Sequence, residues 1–172
     1  MAFLRENVKP EMVTGKRVLE IGSQNVNGSP REIIEPMGPK EYVGIDIQEG
    51  PGVDIVMDFS SPPFIELGFD LVISTETMEH CADWRGFVAN LKRVCNQETV
   101  LIVTTRSPGF GFHNPPDHWR YSLEDFMEMF ADMNILKLES DPQVPGVFML
   151  AHGFNESEVD LDSIVVAKAP AN

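Results

Sequence analysis

The chain has 172 residues, of which 42% are hydrophobic and 23% are charged, and its formal net charge is −14. This length suffices for one domain with a sizeable core, over residues 1–172, but not for two. The acidic surface repels phosphate backbones and no basic patch offsets it, so we expect no nucleic-acid partner. No apolar run reaches the ~20 residues of a membrane span, so we expect no membrane partner either.

Cysteine usage and the first residues indicate the compartment. Cys81 and Cys95 are the only cysteines, and neither belongs to a C-x-x-C pair. Reduced thiols are the expected state, and no apolar leader is recognisable near Met1. The sequence therefore predicts a cytoplasmic protein.

Strand-like runs alternate with helical patterns, which predicts a parallel sheet covered by helices on both faces. In chain order we expect strands at about 17–21, 42–47, 53–57, 69–74 and 99–105, and helices at about 30–38, 83–94 and 122–133. Residues 60–63 are expected to form a turn that starts a short helix.

Three apolar runs follow at 135–138, 147–151 and 164–168, and we expect antiparallel edge strands there, with the pairing left open. The predicted fold is a doubly wound, Rossmann-like α/β three-layer sandwich with a mostly parallel sheet and an antiparallel C-terminal edge strand. Between the fifth strand and the last helix, residues 106–121 form a long loop rich in glycine and proline. Such loops are commonly functional.

Two acidic strand ends indicate a nucleoside ligand. The first strand carries Glu20 near its end and is followed by a glycine-containing turn and a helix start at Ser29 and Pro30. The second strand carries Asp46 near its end. This layout is typical of the nucleoside-binding half of a doubly wound α/β domain.

A dinucleotide fits this turn poorly. The glycines of the turn, Gly22 and Gly28, are too widely spaced for the G-x-G-x-x-G pattern that brings a pyrophosphate to a helix N-terminus. The Glu20 carboxylate would also oppose a pyrophosphate. A phosphate-free, positively charged ligand therefore fits better, and a nucleotide-dependent oxidoreductase is the weaker alternative.

Four segments in order resemble the signatures of class I S-adenosylmethionine-dependent methyltransferases, of the type 11-like kind. They are residues 18–22, 43–46, 57–59 and 69–80. Residues 113–121, with a His-x-Pro-Pro-Asp, aromatic, Arg-Tyr pattern, are similar to a stretch in methyltransferases of glycan and lipopolysaccharide gene clusters. The resemblance implies S-adenosyl-L-methionine as the cofactor.

The resemblance also implies roles for individual residues. Glu20 would act near the methionine ammonium, Gly22 would admit the methionine part, Asp46 would bind both ribose hydroxyls, and Asp58 with Phe59 would hold the adenine. Charge-assisted bonds to a ribose are strong. The predicted cofactor-binding residues are Glu20, Gly22, Gly28, Asp46, Ile47, Asp58, Phe59, Thr75 and Glu76.

Three histidines are the candidate catalytic residues. A sulfonium methyl is already activated, so positioning the acceptor in line carries much of the catalysis. A general base helps when the acceptor is a hydroxyl or an ammonium, and His80, His113 and His118 are the candidates. The alternative is that His80 only satisfies loop backbone. His113, Asp117 and His118 lack a fourth ligand, so no metal is expected.

The predicted function is in-line methyl transfer from S-adenosylmethionine to a small-molecule or sugar acceptor. The alternative is a catalytically inactive S-adenosylmethionine-binding module, or a subunit of a larger complex. The segment before the first strand is short for covering a cofactor. A second copy could supply the cover, so a homodimer is among the expected partners.

Overall fold

The computed structural model describes residues 1–61, 68–113 and 116–171. Its helices are α1 (Ala2–Asn7), α2 (Arg31–Ile34), α3 (Trp84–Val94) and α4 (Leu123–Met129). Its strands are β1 (Arg17–Ile21), β2 (Glu41–Asp46), β3 (Ile55–Val56), β4 (Leu71–Thr75), β5 (Val100–Arg106), β6 (Trp119–Arg120), β7 (Met133–Ser140), β8 (Gly146–Phe154) and β9 (Ala167–Lys168). Short 3₁₀ turns lie at Pro10–Met12, Glu35–Met37, Met78–His80 and Leu161–Ser163.

One seven-stranded sheet with the order β3-β2-β1-β4-β5-β8-β7 organises the fold. The first five strands in this order are parallel, and β8 and β7 run antiparallel to their neighbours. The predicted Rossmann-like fold is confirmed, with two antiparallel strands at the C-terminal edge. The strand order reverses between β1 and β4, which opens a crevice at the carboxyl ends of these strands.

The two central strands, β1 and β4, are buried on both faces, as apolar parallel strands usually are. Side chains alternate between faces along a strand. Leu19 therefore joins the core cluster under α3 and α4, whereas Val18 joins the cluster that contains residues of α1 and α2. The result is three layers, with the sheet in the middle.

Side-chain caps start the two longer helices where the sequence predicts them. The Asp83 carboxylate accepts a 3.0 Å bond from the Gly86 backbone N–H at the start of α3. Ser122 and Asp125 form a reciprocal capping box at the start of α4. None of the helices in the described ranges is long and apolar enough to cross a membrane.

One predicted helix end is confirmed and another was wrong. The helix expected over 30–38 is α-helical over Arg31–Ile34, continues as a 3₁₀ turn over Glu35–Met37 because Pro36 cannot donate the next α-helical bond, and stops at Gly38, which is left-handed with φ 73°. The helix expected to reach Met133 ends at Met129, because the chain turns and Met133 begins the edge strand β7.

Strand predictions also need correction. The strand expected over 53–57 is reduced to two paired residues, and the second strand ends at Asp46 rather than 47. The run at 164–168 lies outside the main sheet: Ile164 and Val166 enter the core, while β9 pairs with β6 in a separate two-stranded sheet. The helix start predicted at 60–63 extends into residues outside the described ranges.

A buried ion pair holds the loop before β6. The Arg120 guanidinium, 1% exposed as a residue, binds both carboxylate oxygens of Asp117 at 2.5 and 2.6 Å. It also donates to the backbone carbonyls of Gly111 and Phe110 at 2.6 and 3.3 Å. Burial works to raise the pKa of Asp117, but the bonds from Arg120 hold that pKa below its usual value.

Replacement of Asp117 by asparagine should destabilise the fold by about 3–5 kcal/mol, because the Arg120 charge would stay buried without its counter-ion. Urea unfolding of the two proteins at neutral pH measures this loss. Asp162→Asn is the matched control, since the Asp162 side chain is 92% exposed beside Arg85 and should leave the unfolding midpoint unchanged. Equal midpoints for all three proteins would contradict the proposed role of the pair.

Candidate functional site

A cavity of about 1010 Å³ opens at the carboxyl ends of the parallel strands. Strand β1 contributes Glu20, β2 contributes Asp46, β4 contributes Thr75 and β5 contributes Arg106 to its wall. This is the position where open α/β sheets bind ligands. Helix α1 adds an apolar wall at one side.

The cavity collects every residue that the sequence predicts for the site. The predicted cofactor-binding and catalytic residues that line it are Glu20, Gly22, Gly28, Asp46, Ile47, Asp58, Phe59, Thr75, Glu76, His80, His113 and His118. They come from strand ends and loops that are far apart in the sequence. The sheet topology brings the strand-end residues together, and the loop before β6 adds His113 and His118.

Gly22 permits a close approach between two loops. It has φ 78°, and a Cβ atom there would lie 1.8 Å from the Thr77 side-chain oxygen. The backbone N–H groups of Gly22 and Ser23 both donate to the Ile45 carbonyl, at 2.8 and 3.0 Å. The turn after β1 is therefore fixed at the cavity wall, and only glycine fits at this position.

The enlarged loop up to Gly28 is ordered by Asn25. The Asn25 side chain accepts a 3.0 Å bond from the Gly28 N–H, and the Asn25 N–H donates to the Pro51 carbonyl at 2.8 Å. Gly28 has φ 106°, and a Cβ atom there would meet nothing within 4 Å. Gly28 thus serves the turn through its backbone conformation, not through close packing.

The Asp46 carboxylate joins the two loops at the end of β2. One oxygen accepts from the Gln24 backbone N–H at 3.1 Å and the other from the Gln48 N–H at 3.0 Å. Each carboxylate oxygen has a further lone pair for a ligand. Asp46 is half-buried at the cavity wall, which suits a carboxylate that binds hydroxyl groups.

Glu20 is a buried acid without a salt-bridge partner in the described residues. It is 1% exposed, and one of its oxygens accepts a 2.6 Å bond from the Tyr42 hydroxyl. Burial raises the pKa of Glu20 to about 7, although the Tyr42 bond works in the opposite direction. Tyr42 belongs to no recognisable motif. It is paired with Val18, which points to the same face of the sheet as Glu20, and this register brings Tyr42 to Glu20.

Phe59 and Asp58 have different local roles. Phe59 is 4% exposed, packs edge-on against Phe87 at 5.5 Å between ring centroids, and its carbonyl accepts from the Asn90 side chain at 2.7 Å. The exposed Asp58 carboxylate accepts from the Ser60 backbone and hydroxyl at 2.9 and 2.6 Å. Phe59 therefore anchors this loop in the core while Asp58 shapes its turn.

An ion pair that the sequence analysis did not predict lies after β4. Glu76 has φ 51°, so it is a non-glycine residue in the left-handed region. Its carboxylate accepts from Thr104 at 2.9 Å and forms a salt bridge with Arg106. Because Arg106 neutralises it, Glu76 adds little negative charge to the cavity. Strained residues of this kind concentrate at functional sites.

The three histidines do not form one group. The His80 ring bonds to the Pro116 carbonyl through Nδ1, and its centroid lies 5.5 Å from that of His113. Burial lowers the pKa of His80, so its neutral form is favoured. His118 lines the cavity while its backbone bonds to the Glu79 carbonyl at 2.9 Å. The bond to Pro116 also agrees with the alternative that His80 satisfies loop backbone.

The ligand set considered from the sequence, His113 with Asp117 and His118, does not form, because Asp117 is bound to Arg120 and to the His113 backbone. A different group forms instead. Glu79, which lies in the resembling segment 69–80 but was not among the predicted site residues, is fully buried and lies beside His80 and His113.

Replacement of Glu20 by glutamine should stabilise the free protein at alkaline pH. Folded Glu20 holds its proton up to about pH 7, whereas an unfolded glutamate releases it near 4.5. Stability therefore falls as the pH rises between these values, and at pH 8 the loss is about 2–3 kcal/mol. Glutamine keeps an oxygen for the Tyr42 hydroxyl and carries no charge.

Urea unfolding at pH 5 and pH 8 checks this: the gain of Glu20→Gln over the unchanged protein should be larger at pH 8. Exposed Glu49, replaced in the same way, is the control and should give no pH-dependent gain. A Glu20→Gln variant that is no more stable at pH 8 would contradict the assigned pKa shift.

Comparisons with known proteins give the family and the fold. A family model described as "Methyltransferase domain" matches residues 2–136. No curated protein sequence matches the chain.

Solved structures share the fold at low sequence identity. An S-adenosylmethionine-dependent methyltransferase from Mesorhizobium loti has a TM-score of 0.69 at 13% identity, covering 88% of this chain and 96% of that one. A methyltransferase of the same cofactor dependence from Aquifex aeolicus has a TM-score of 0.57 at 16% identity, with 86% and 91% covered. A chain from the complex of the Haloferax volcanii Trm112 methyltransferase activator with a methyltransferase has a TM-score of 0.63 at 14% identity, with 85% of each chain covered.

These findings confirm the predicted fold and the prediction of an enzyme. The family model covers most of the chain, and its match includes the five parallel strands β1 to β5. The protein therefore belongs to the methyltransferase-domain family, and S-adenosylmethionine is its cofactor.

Proposed function

We propose that the protein transfers the methyl group of S-adenosylmethionine to a small-molecule or sugar acceptor that binds in the same cavity as the cofactor. The observation that carries this proposal is the convergence of all predicted cofactor-binding and catalytic residues on one cavity at the carboxyl ends of the strands. Ligand sites of this fold class lie at that point.

The cofactor would lie across the ends of β1 and β2. The Asp46 carboxylate would accept the ribose hydroxyls through the lone pairs that the two backbone bonds leave. Asp58 and the Phe59 backbone would hold the adenine. Ile47 is 65% exposed at the cavity wall, and an adenine ring would cover this apolar side chain.

The positive end of the cofactor would lie near Glu20. A cation beside this buried acid stabilises the ionised carboxylate, which burial alone disfavours. The ammonium of the cofactor is such a cation, and it carries no phosphate that the carboxylate would repel. The buried Glu20 carboxyl group, which has no basic partner among the described residues, thus supports S-adenosylmethionine over a dinucleotide.

The remaining space would take the acceptor. A drug-sized ligand fills a pocket of roughly 300–1,000 Å³, and the cavity of about 1010 Å³ is at the upper end of that range. This volume favours a cofactor together with a small acceptor. The cavity wall also carries Arg106 and the three predicted histidines, which are polar groups suited to a hydroxyl-bearing acceptor such as a sugar.

The reaction would proceed by in-line displacement. The acceptor atom forms a bond to the methyl carbon, the carbon–sulfur bond breaks, and its electron pair stays on sulfur. A hydroxyl acceptor also releases its proton, and His80, His113 or His118 would receive it. The predicted homodimer stays a prediction, and the one partner seen among the fold relatives is the activator protein in the Haloferax volcanii complex.

Replacement of Asp46 by alanine should weaken S-adenosylmethionine binding at least a hundredfold, because two charge-assisted hydrogen bonds to the ribose are lost. Isothermal titration calorimetry with S-adenosylmethionine and S-adenosylhomocysteine measures the loss. Glu49→Ala, an exposed acid in the same loop, is the matched control and should bind as the unchanged protein does. Equal affinity of the Asp46 and Glu49 variants would move the cofactor site elsewhere.

Sugars and small hydroxylated molecules should act as methyl acceptors, whereas oligonucleotides should not, because the net charge of −14 repels them. Formation of S-adenosylhomocysteine, measured by mass spectrometry over a panel of hydroxyl, amine and carboxylate acceptors, checks this. The Asp46→Ala variant supplies the background rate. Tight cofactor binding without transfer to any acceptor would instead support the inactive binding module.

A further inference from the structure

We propose that Glu79, His80 and His113 bind a divalent transition-metal ion at the inner edge of the cavity, and that this ion holds the acceptor oxygen. This inference rests on the proposed function and gives it a place for the acceptor. The three side chains offer one carboxylate oxygen and two imidazole nitrogens, and these atoms all lie within 4.8 Å of one another. Bonds of about 2.1 Å to a central ion place ligand atoms about 3–4 Å apart.

Two buried atoms of this group have no hydrogen-bond partner among the described residues. They are Oε1 of Glu79, a residue that is 0% exposed, and Nδ1 of His113. The second Glu79 oxygen is satisfied by the Thr105 hydroxyl at 2.8 Å. A buried polar atom without a partner destabilises the folded protein. One metal ion would satisfy both atoms at once.

Neighbouring groups hold the three side chains in the way that metal ligands are usually held. The His80 Nδ1 bonds to the Pro116 carbonyl, which fixes the ring and leaves Nε2 as the coordinating nitrogen. The His113 backbone N–H donates to Asp117 at 2.7 Å. Together with the Thr105 bond to Glu79, these contacts orient each ligand before an ion arrives.

The local charge also suits a dication. Glu76 is paired with Arg106, and Asp117 with Arg120, so Glu79 is the acid of this group that has no basic partner among the described residues. A dication bound there would leave one positive charge, which attracts an acceptor oxygen. Two imidazoles and one carboxylate favour zinc, iron or manganese over magnesium or calcium, and three protein ligands leave coordination positions open.

The proposed metal site gives the three predicted histidines different roles. A hydroxyl acceptor bound to the ion becomes more acidic, and its proton passes to His118, which also lines the cavity. The oxygen then forms its bond to the methyl carbon while the carbon–sulfur bond breaks and the electron pair remains on sulfur. His80 and His113 are metal ligands in this scheme, so they do not act as bases.

The test is metal binding by the full-length chain without cofactor or acceptor. After treatment with a chelator and its removal, the protein is titrated with ZnCl₂ and MnCl₂ by calorimetry. Binding of Co²⁺ is followed through its visible absorption, which reports nitrogen ligands. We expect one ion per chain. Glu79→Gln, which keeps an oxygen for Thr105, and His113→Ala should each weaken binding at least tenfold.

His152→Ala is the matched control, because His152 pairs with Val100 at the opposite end of β5 and does not line the cavity. Thermal unfolding of the metal-free variants establishes that they are folded. Absence of stoichiometric binding, or equal binding by the Glu79, His113 and His152 variants, would overturn the inference. Cofactor calorimetry separates the two proposals: cofactor binding without metal binding refutes only the metal site, and the reverse result refutes only the proposed function.

Discussion

The contact between Gly22 and Thr77 is the constraint on which the rest of the site depends. Parallel strands β1 and β4 stay paired up to Ile21 and Ser74, the helices that follow them pack on opposite faces of the sheet, and the loops that follow the strands meet at this contact. The Thr77 hydroxyl donates to the Ile21 and Thr75 carbonyls at 3.3 and 3.0 Å, which ties the two strand ends together. A side chain at Gly22 would separate the two loops. Because they stay close, Glu20 and Glu76 are held on the wall of one cavity.

The acidic groups in and around the cavity are of two kinds: some are paired with an arginine, and others have no basic partner in the described residues. Glu76 and Asp117 are paired with arginines, and both serve the architecture of the loops. Glu20 and Glu79 are buried without a salt bridge to a basic side chain in the described residues, and burial raises the pKa of each, to about 7 and about 8. A protein that keeps unpaired buried acids at a cavity gains from a ligand that brings positive charge. The two proposed ligands are both cations.

Much of the fold, and the candidate cofactor-binding residues at the strand ends, could be predicted from the sequence, because strand ends are local features. Glu20, Asp46 and Asp58 each follow or end an apolar run, and parallel strands bring such ends to one edge. Gly22 was recognisable for the same reason. The helix caps at Asp83 and Ser122 are equally local, since they depend on residues three positions apart.

The missed features depend on partners that sequence spacing does not show. Tyr42 reaches Glu20 from the neighbouring strand, and Arg106 reaches Glu76 from the end of another strand. Glu79 joins His113 across the loop before β6. The short β9 was misplaced because its apolar neighbours Ile164 and Val166 fill the core without pairing in the main sheet.

The pairing of β6 with β9 fastens the end of the loop that lies between β5 and β6. Trp119 and Arg120 are held by β9 on one side and by the Cys81 and Asp117 contacts on the other. The segment before β9 is itself fastened, because Arg85 donates to the Leu161 and Ile164 carbonyls at 3.0 and 2.8 Å. Residues 110–113 are fastened too, because Arg120 donates to the Phe110 and Gly111 carbonyls and Asp117 accepts from the His113 N–H. A substitution in β9 or at Arg85 would therefore reach the part of the cavity wall that His113 and His118 form, although neither β9 nor Arg85 lines the cavity.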